Sequence, residues 1–325
     1  MNRRKALKST IIGSSAAILS REFSNWSQLF PSSVNAKSAH LGVQLFTIPQ
    51  MTSKDLRGTF QTISEIGYKE VEFFGPYPSS SEKAKKFYKE MFGPMFGSTE
   101  HAFFGFSLDE TIGMLKEYEL STPSLHVDID TLRNNLGQTA EMANALGVKY
   151  LIIAAIMEGR NSLDDYKKIA DEFNQFGEGL SKYGMKFAYH NHGYEHIVMD
   201  DQIPMDYLIQ NTNPDYVQFE LDVFWMSAAG ANPLEYLDKY PDRYKLLHLK
   251  DSRENNRFSG DGGSPDQWME IFGYMVDPGD GVLEISKIID KAVANGVDHY
   301  YLERDMASDP LGTLNNSYKN LTEMM

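Results

Sequence analysis

The sequence feature that most constrains the fold is a repeated junction, in which a helix-like segment ends in glycine and an apolar strand follows about three residues later. The junction occurs at Gly67, Gly147, Gly184 and Gly296. Glycine suits the left-handed backbone conformation that commonly lies just past a helix end. The intervals of 80, 37 and 112 residues are roughly two, one and three units of 37 to 40 residues. About eight strand–helix units of that size predict an α/β fold of the (β/α)8 TIM-barrel type.

Eight short apolar runs supply the predicted strands. They are Leu41–Thr47, Glu70–Phe74, Ser124–Val127, Tyr150–Ala155, Lys186–His190, Val217–Leu221, Lys245–Leu249 and Tyr300–Glu303. Amphipathic stretches between them predict helices at Lys54–Ile66, Leu132–Leu146, Leu163–Tyr183 and Ile285–Asn295. A doubly wound open sheet is the competing architecture, but it usually carries a glycine-rich phosphate loop after its first strand. The segment Thr47–Met51 contains no glycine, which favours the barrel.

Two long segments interrupt the alternation: Gly75–Phe106 follows the second strand, and Asp251–Asp280 follows the seventh. In a barrel both would lie on the C-terminal face of the strands, where loops build active sites. Their aromatic residues either cover a pocket or pack within their own loops. Between the first of these loops and the third strand, Ser107 followed by Glu110 predicts a capping box at the start of the second helix.

The charge of the chain disfavours nucleic acid as a partner. The formal net charge is −14, and residues 1–36 hold five lysines and arginines and one acidic residue. The remainder therefore carries 26 basic and 44 acidic residues, a net charge of −18. Such a protein repels phosphate backbones. The absence of cysteine excludes disulfides, thiolate nucleophiles and cysteine-based zinc sites.

Residues 1–36 have the features of an export signal and its cleavage region. Arg3 and Arg4 precede a mildly apolar run at residues 11–19, which is too short for a comfortable membrane span. Paired arginines are typical of a twin-arginine signal. We therefore expect a periplasmic or otherwise exported protein with no membrane span after signal removal, in which residues 37–325 form one catalytic barrel. A disordered basic tail on a cytosolic protein is the alternative.

Side chains that can bind metal ions stand at the ends of the four later strands. They are His190, Asp222, His248 and Glu303, and His192 lies two residues beyond the first of them. Because the strands of a barrel all open toward one face, we expect these side chains to converge. Two imidazoles and two carboxylates suit a divalent transition metal such as Mn, Zn, Fe or Co. Any one of them alone would more often have a structural role, so the prediction depends on their joint occurrence.

The segments that carry these residues are G-M-K-F-A-Y-H-N-H at 184–192, F-E-L-D-V-F-W at 219–225, L-H-L-K-D at 247–251 and Y-Y-L-E-R-D at 300–305. Together with G-V-Q-L-F-T at 42–47 and P-G-D-G-V-L-E-I at 278–285, they resemble the sugar isomerase/epimerase superfamily with the xylose-isomerase-like TIM barrel. Inosose dehydratases, ketose 3-epimerases and endonuclease IV are relatives in that group. The resemblance spans roughly Leu41 to the C-terminus and does not distinguish between these activities.

The resemblance implies one divalent metal ion, Mn, Zn, Co, Fe or Mg, held by ligands from strands five to eight. The matching positions are His190, Asp222, His248 and Glu303, with His192 in place of His190 if the register shifts by two. In the ketose epimerases the strand-five ligand is a glutamate that pairs with the strand-eight glutamate as two bases. The histidine in this chain argues against that symmetric mechanism, because a metal-bound imidazole does not readily shuttle a proton.

Proton transfer and substrate binding have their own candidates. The catalytic candidates are Glu303, Glu195 and His192, and the substrate-binding candidates are His126, Glu158, Trp225, Lys250 and Arg304. The Trp225 ring would either stack on a sugar or pack against the next helix. Lys250 and Arg304 would either hold an anionic group or form salt bridges with neighbouring aspartates.

The expected function is that of a metal-dependent sugar isomerase or epimerase, which removes a proton next to a sugar carbonyl with Lewis-acid assistance. A lyase or dehydratase acting on keto-sugars or keto-glycosides is the alternative, since a single base suffices for elimination. A non-catalytic sugar-binding barrel and an endonuclease IV-like phosphodiesterase are two further hypotheses, and the acidic charge disfavours the phosphodiesterase. The expected partner is a small-molecule sugar, and the sequence leaves open whether the chain forms a homo-oligomer.

Overall fold

The barrel forms from the segments that the sequence predicts. The computed structural model describes residues 41–96 and 102–325. The barrel strands β1–β8 are Leu41–Gln44, Glu70–Phe74, Ser124–Val127, Tyr150–Ile153, Lys186–His190, Val217–Asp222, Tyr244–Leu249 and His299–Leu302. Neighbouring strands are parallel, and β8 pairs with β1 to close the barrel. The predicted (β/α)8 TIM barrel is therefore confirmed, whereas the predicted export segment at 1–36 lies outside the described residues.

Helices alternate with the strands and cover the outside of the barrel. Helices α1–α12 of the described residues are Pro49–Lys54, Leu56–Ile66, Glu82–Phe96, Leu108–Glu117, Ile129–Ala145, Leu163–Ser181, Pro204–Gln210, Val223–Ala228, Pro233–Lys239, Pro265–Phe272, Ile285–Ala294 and Pro310–Met324. Short helical turns lie at Leu45–Thr47, Ala102–Gly105 and Tyr194–His196. The apolar face of α6 buries Ile169, Phe173 and Leu180, which shows how these amphipathic helices join the core. Within the described part of the chain, no helix combines the length and apolarity needed to cross a bilayer.

The repeated glycine junction has the backbone geometry that favours glycine. Gly67, Gly147, Gly184 and Gly296 have φ values of 122°, 80°, 74° and 67°. A side chain at such a residue would crowd the backbone, whereas glycine turns the chain out of the helix at little steric cost. The next barrel strand then begins two or three residues later.

The two long loops contain structure that the sequence did not predict. The loop after β2 includes α3, and the predicted capping box at Ser107 is present, with both of its hydrogen bonds to Glu110. The loop after β7 includes α10 and a short antiparallel pair, Asp251–Ser252 with Met275–Val276. Strand β1 is also shorter than predicted. It ends at Gln44, whose side chain accepts a hydrogen bond from the Phe46 amide and caps a helical turn.

Inside the barrel, an apolar layer lies between two sets of buried titratable side chains. Near the N-terminal ends of the strands, Glu70 and His299 form a buried pair at 2.8 Å. Tyr150, Ile152, Ala188, Leu246 and Tyr301 form an apolar layer inside the barrel. Toward the C-terminal ends, which we call the mouth, the buried side chains are mostly acids and imidazoles. Buried charges need partners or bound ions, so this end is where chemistry is expected.

Candidate metal centre

The four predicted metal ligands meet at the mouth of the barrel. His190 and Asp222 end β5 and β6, His248 is the last but one residue of β7, and Glu303 directly follows β8. Strand register places Asp222 beside His248. One ligand atom from each of the four lies within 4.8 Å of the other three, and all four residues are buried. The four residues that the sequence predicted to share a metal ion are therefore close together in the structure.

The geometry of this group fits a shared divalent cation. His190 Nε2 lies 3.6 Å from Asp222 Oδ2, which is close to the separation of two ligands of one ion. His248 Nδ1 and Glu303 Oε2 are hydrogen-bonded at 2.6 Å, and an ion shared by the two residues would replace that hydrogen bond. Two donors that are each ~2.1 Å from one ion at a tetrahedral angle are roughly 3.4 Å apart. Asp222 Oδ2 is buried and accepts no well-aligned hydrogen bond, although the Lys250 Nζ lies 3.0 Å away. Two imidazoles and two carboxylates form a donor set that Zn, Mn, Fe and Co accept.

Lys250 places a buried ammonium among these carboxylates. Its Nζ lies 3.0 Å from Asp222 Oδ2, 2.8 Å from Glu303 Oε2 and 2.9 Å from Asp305 Oδ2. Burial alone would lower the pKa of Lys250, but the three carboxylates outweigh burial and raise it. The sequence left open whether this lysine binds a substrate or forms salt bridges. The structure shows salt bridges, two of which are to candidate metal ligands.

A second layer of charged residues lies directly beneath the four candidates. Glu72 and Glu220 are fully buried, and the Nε2 atom of His126 lies between them, 3.0 Å from Glu72 Oε2 and 2.8 Å from Glu220 Oε2. Gln44 Nε2 also donates to Glu72 at 2.7 Å. His126, which the sequence assigned to substrate binding, is therefore held by two carboxylates inside the barrel.

Glu220 and Asp305 are site residues that the sequence analysis did not identify. Each lies two residues from a candidate ligand, Glu220 before Asp222 and Asp305 after Glu303. Because side chains alternate along a strand, this spacing directs Glu220 and Asp222 of β6 toward the same side. Glu303 and Asp305 follow β8, and both contact the Lys250 ammonium. That spacing is the signal that could have identified them.

Burial and neighbouring charges shift the pKa values of His190, His126 and His248 in different directions. Burial, reinforced by His248 and His192, lowers the pKa of His190 well below its ordinary value, which favours the neutral form that binds metals. Burial would also lower the pKa of His126, but Glu72 and Glu220 outweigh it and raise the pKa to about 10. The carboxylates around His248 raise its pKa in the same way.

Aromatic rings line one side of the mouth. The His192 ring stacks on Trp225 with centroids 5.6 Å apart and lies 4.8 Å from the Trp268 ring. Burial, followed by the charge of Lys250, lowers the pKa of His192 to about 3, so its imidazole is neutral. Trp225 is almost fully buried and stacks on Phe258, which agrees with the packing alternative for this tryptophan. Its backbone amide also donates to Asp222 Oδ1 at 2.8 Å.

Three sequence-predicted residues do not face the mouth. The Glu195 carboxylate is fully buried beside Tyr189, which donates to it, and it accepts the amides of His192 and Gly193. Tyr189 packs on Phe173 of α6, outside the barrel, because it alternates with the inward His190. Glu195 therefore supports the loop after β5 and is not placed for proton transfer.

The other two residues are held in salt bridges away from the candidate ligands. Glu158 is largely exposed and lies 3.7 Å from the exposed Lys83. Arg304 alternates with Glu303, and its guanidinium donates to Asp277 at 2.8 Å and to Thr313 of α12 at 3.3 Å. The predicted substrate contacts by Glu158 and Arg304 are not supported by these positions, because each side chain has its own surface or helix-facing partner.

Comparisons with known proteins agree with this architecture. The family model for the xylose isomerase-like TIM barrel matches residues 60–305. An inosose dehydratase of Lactiplantibacillus plantarum is 29% identical over 132 residues, which cover 40% of this chain and 43% of the relative. The chain spans about half the length of the curated relatives that it matches.

Solved structures share the fold over most of their length. A sugar phosphate isomerase/epimerase from Parabacteroides distasonis superimposes with a TM-score of 0.69 at 21% identity, covering 89% of this chain and 95% of that protein. The IolI protein, solved with a zinc atom, superimposes with a TM-score of 0.63 at 16% identity, covering 88% and 97%. At these identities the likeness establishes the common barrel.

Proposed function

Because the chain belongs to the xylose isomerase-like TIM barrel family, we propose that it is a metal-dependent lyase or dehydratase that acts on a polyhydroxylated keto-substrate. The observation that carries the proposal is the convergence of His190, Asp222, His248 and Glu303 within 4.8 Å of one another. The name of the matched relative, an inosose dehydratase, supports loss of water as the reaction class.

A bound divalent cation would supply a Lewis acid that polarises the substrate carbonyl and acidifies the neighbouring C–H group. The chain's own proton-transfer groups are clustered on one side of the mouth, where Lys250 joins Glu303 to Asp305. A carboxylate of this pair would accept the proton from carbon, and the Lys250 ammonium would stabilise or protonate the departing oxygen. One base and one acid suffice for elimination.

Isomerisation or epimerisation is the second candidate function. It is favoured by the name of the Parabacteroides distasonis structure, a sugar phosphate isomerase/epimerase. A two-base epimerisation needs a second proton carrier on the opposite face of the substrate. The residue there is His190, whose Nδ1 lies 2.9 Å from Glu220 Oε2 and whose Nε2 faces Asp222. That arrangement supports a ligand role, so elimination or one-base isomerisation is preferred.

The test is turnover in deuterated water with metal-loaded protein and a panel of keto-sugars, 3-keto-glycosides and cyclic keto-polyols, followed by NMR and mass spectrometry. Elimination predicts loss of water or of the aglycone alcohol, whereas isomerisation predicts an unchanged skeleton with deuterium at one carbon. Glu303→Gln should abolish turnover without unfolding the protein, and Glu284→Gln, at an exposed glutamate, should retain it. Sugar affinity that is unchanged by a chelator, with no turnover, would contradict the proposal and favour a non-catalytic binding barrel.

We also propose that residues 1–36 direct export to the periplasm. The support is the paired Arg3 and Arg4 ahead of a short apolar run. Replacing both arginines by lysine in the full-length protein should shift it from the periplasmic to the cytoplasmic fraction. An unchanged distribution would contradict a twin-arginine route.

A further inference from the structure

The carboxylate layer beneath the candidate ligands faces the opposite nitrogens of the same two histidines. In His190, Nδ1 lies 2.9 Å from Glu220 Oε2, whereas Nε2 lies 3.6 Å from Asp222 Oδ2. In His248, Nε2 lies 2.7 Å from Glu72 Oε2 and 3.1 Å from Glu220 Oε1, whereas Nδ1 lies 2.6 Å from Glu303 Oε2. Each imidazole therefore has one nitrogen directed down into the barrel and the other directed to the mouth.

We propose that Glu220 and Glu72 are positioning residues that fix the tautomers of His190 and His248, so that Nε2 of His190 and Nδ1 of His248 present their lone pairs to the cation. A neutral imidazole has one N–H group and one lone pair. If the lower nitrogen carries the hydrogen and donates to a buried carboxylate, the upper nitrogen can bind a metal ion. In His248 the cation would take the place of the proton between Nδ1 and Glu303 Oε2. This inference rests on the proposed metal-dependent function.

The lower layer by itself resembles a second metal site, because His126, His190, Glu220 and His248 also place ligand atoms within 4.8 Å of one another. Filling both groups at once would require a metal ion on both nitrogens of His190 and of His248, and each imidazole would lose its N–H proton. With one cation at the mouth and hydrogen bonds to the carboxylates below, each of these two imidazoles keeps one N–H group and uses its other nitrogen as a metal ligand. We therefore treat the upper group as the metal site and the lower group as the residues that position its histidines.

His126 completes the support by holding the two carboxylates in place. Its Nε2 lies 3.0 Å from Glu72 and 2.8 Å from Glu220. Its ring also stacks on His248 with centroids 5.2 Å apart and an interplanar angle of 12°. The carboxylates that face the two candidate ligands are thus themselves fixed, as a preorganised site requires.

The test is Co(II) binding to the metal-free full chain, measured by titration calorimetry and by visible absorption of the bound ion. Glu220→Gln should weaken Co(II) binding by 10- to 100-fold and alter the absorption spectrum, because an amide can donate as well as accept and no longer selects one tautomer. The matched control is Glu70→Gln, which alters a buried Glu–His pair at the opposite end of the same barrel and should leave Co(II) affinity unchanged. Circular dichroism verifies that each variant is folded.

A second readout reports the tautomers directly. In zinc-loaded protein with 15N-labelled histidine, long-range 1H–15N correlations should show Nδ1–H for His190 and Nε2–H for His248, and Glu220→Gln should disturb the His190 pattern. Wild-type Co(II) affinity and spectrum in Glu220→Gln would overturn the inference. Binding of two ions per chain, with only one lost in that variant, would also overturn it, because the lower layer would then be a second site.

The outcome also separates this inference from the proposed function. If Asp222→Asn abolishes Co(II) binding and Glu220→Gln does not affect it, the metal centre stands and the positioning role fails. If Asp222→Asn leaves Co(II) binding unchanged, the metal centre itself is wrong.

Discussion

Replacing Lys250 with methionine tests the electrostatic account of the mouth. The ammonium is buried and contacts Asp222, Glu303 and Asp305 at 2.8–3.0 Å. Methionine keeps much of the side-chain volume but leaves three buried carboxylates without their cation. Removing one partner of a buried ion pair costs about 3–5 kcal/mol. With an unfolding entropy of ~2.1 cal/mol/K per residue, a domain of this size should melt roughly 5–8 °C lower in EDTA.

A divalent cation should reverse much of this loss, because it supplies positive charge to Asp222 and Glu303 where the ammonium is missing. The rise in melting temperature from EDTA to saturating Zn(II), Mn(II) or Co(II) should therefore be larger in Lys250→Met than in the wild type. Binding to the folded state alone contributes ~2.7 kcal/mol at 100 times the dissociation constant. Scanning calorimetry of both proteins, with and without metal, measures the difference.

The matched control is Lys245→Met, which makes the same substitution on β7, the strand that Lys250 directly follows. Its ammonium donates to the Gly296 carbonyl at 3.0 Å in an exposed position, so the variant should melt close to the wild type with or without metal. Equal melting temperatures of Lys250→Met and the wild type in EDTA would refute the reasoning. So would an equal metal-induced rise in the two proteins.

Three further changes have distinct expected outcomes. The Asp251 carboxylate accepts hydrogen bonds from four backbone amides, including those of Gly279, Gly281 and Leu283. Asp251→Asn should therefore lower the free energy of unfolding in urea by about 2–4 kcal/mol and accelerate proteolysis at residues 279–283. An unchanged cleavage rate would contradict this. Burial lowers the pKa of His196 to about 4, so between pH 4 and about 6.5 the unfolded chain binds more protons than the folded protein. The contribution of the neutral His196 to stability is therefore fully present above about pH 6.5 and is lost as the pH falls toward 4. His196→Phe should remove about 2.4 kcal/mol of the difference in stability between urea melts at pH 7 and at pH 4.5, and an unaltered difference would contradict the assignment. Glu158→Gln should leave turnover within about two-fold of the wild type, since its ion pair is exposed; a large loss would restore its predicted substrate contact.

Periodicity and local backbone chemistry explain why so much of the fold could be predicted. The four glycine junctions are local signals, since a positive φ after a helix favours one residue type wherever it occurs. Their spacing then gave the repeat, and the repeat gave the barrel. Metal-competent side chains at successive strand ends followed from the same reasoning, because parallel strands end on one face.

The sequence by itself determined the barrel, its eight strands and the four side chains that converge at its mouth. Only the tertiary structure decided the roles of Glu195, which supports a loop on the outside of β5, and of Glu220, which belongs to the charged layer beneath the candidate ligands. Alternation along a strand states which residues share a side, but it does not give their depth, the partner across the barrel or the direction in which a loop side chain turns. Those depend on how distant strands pack around one axis, and packing between segments far apart in the chain leaves no local pattern in the sequence.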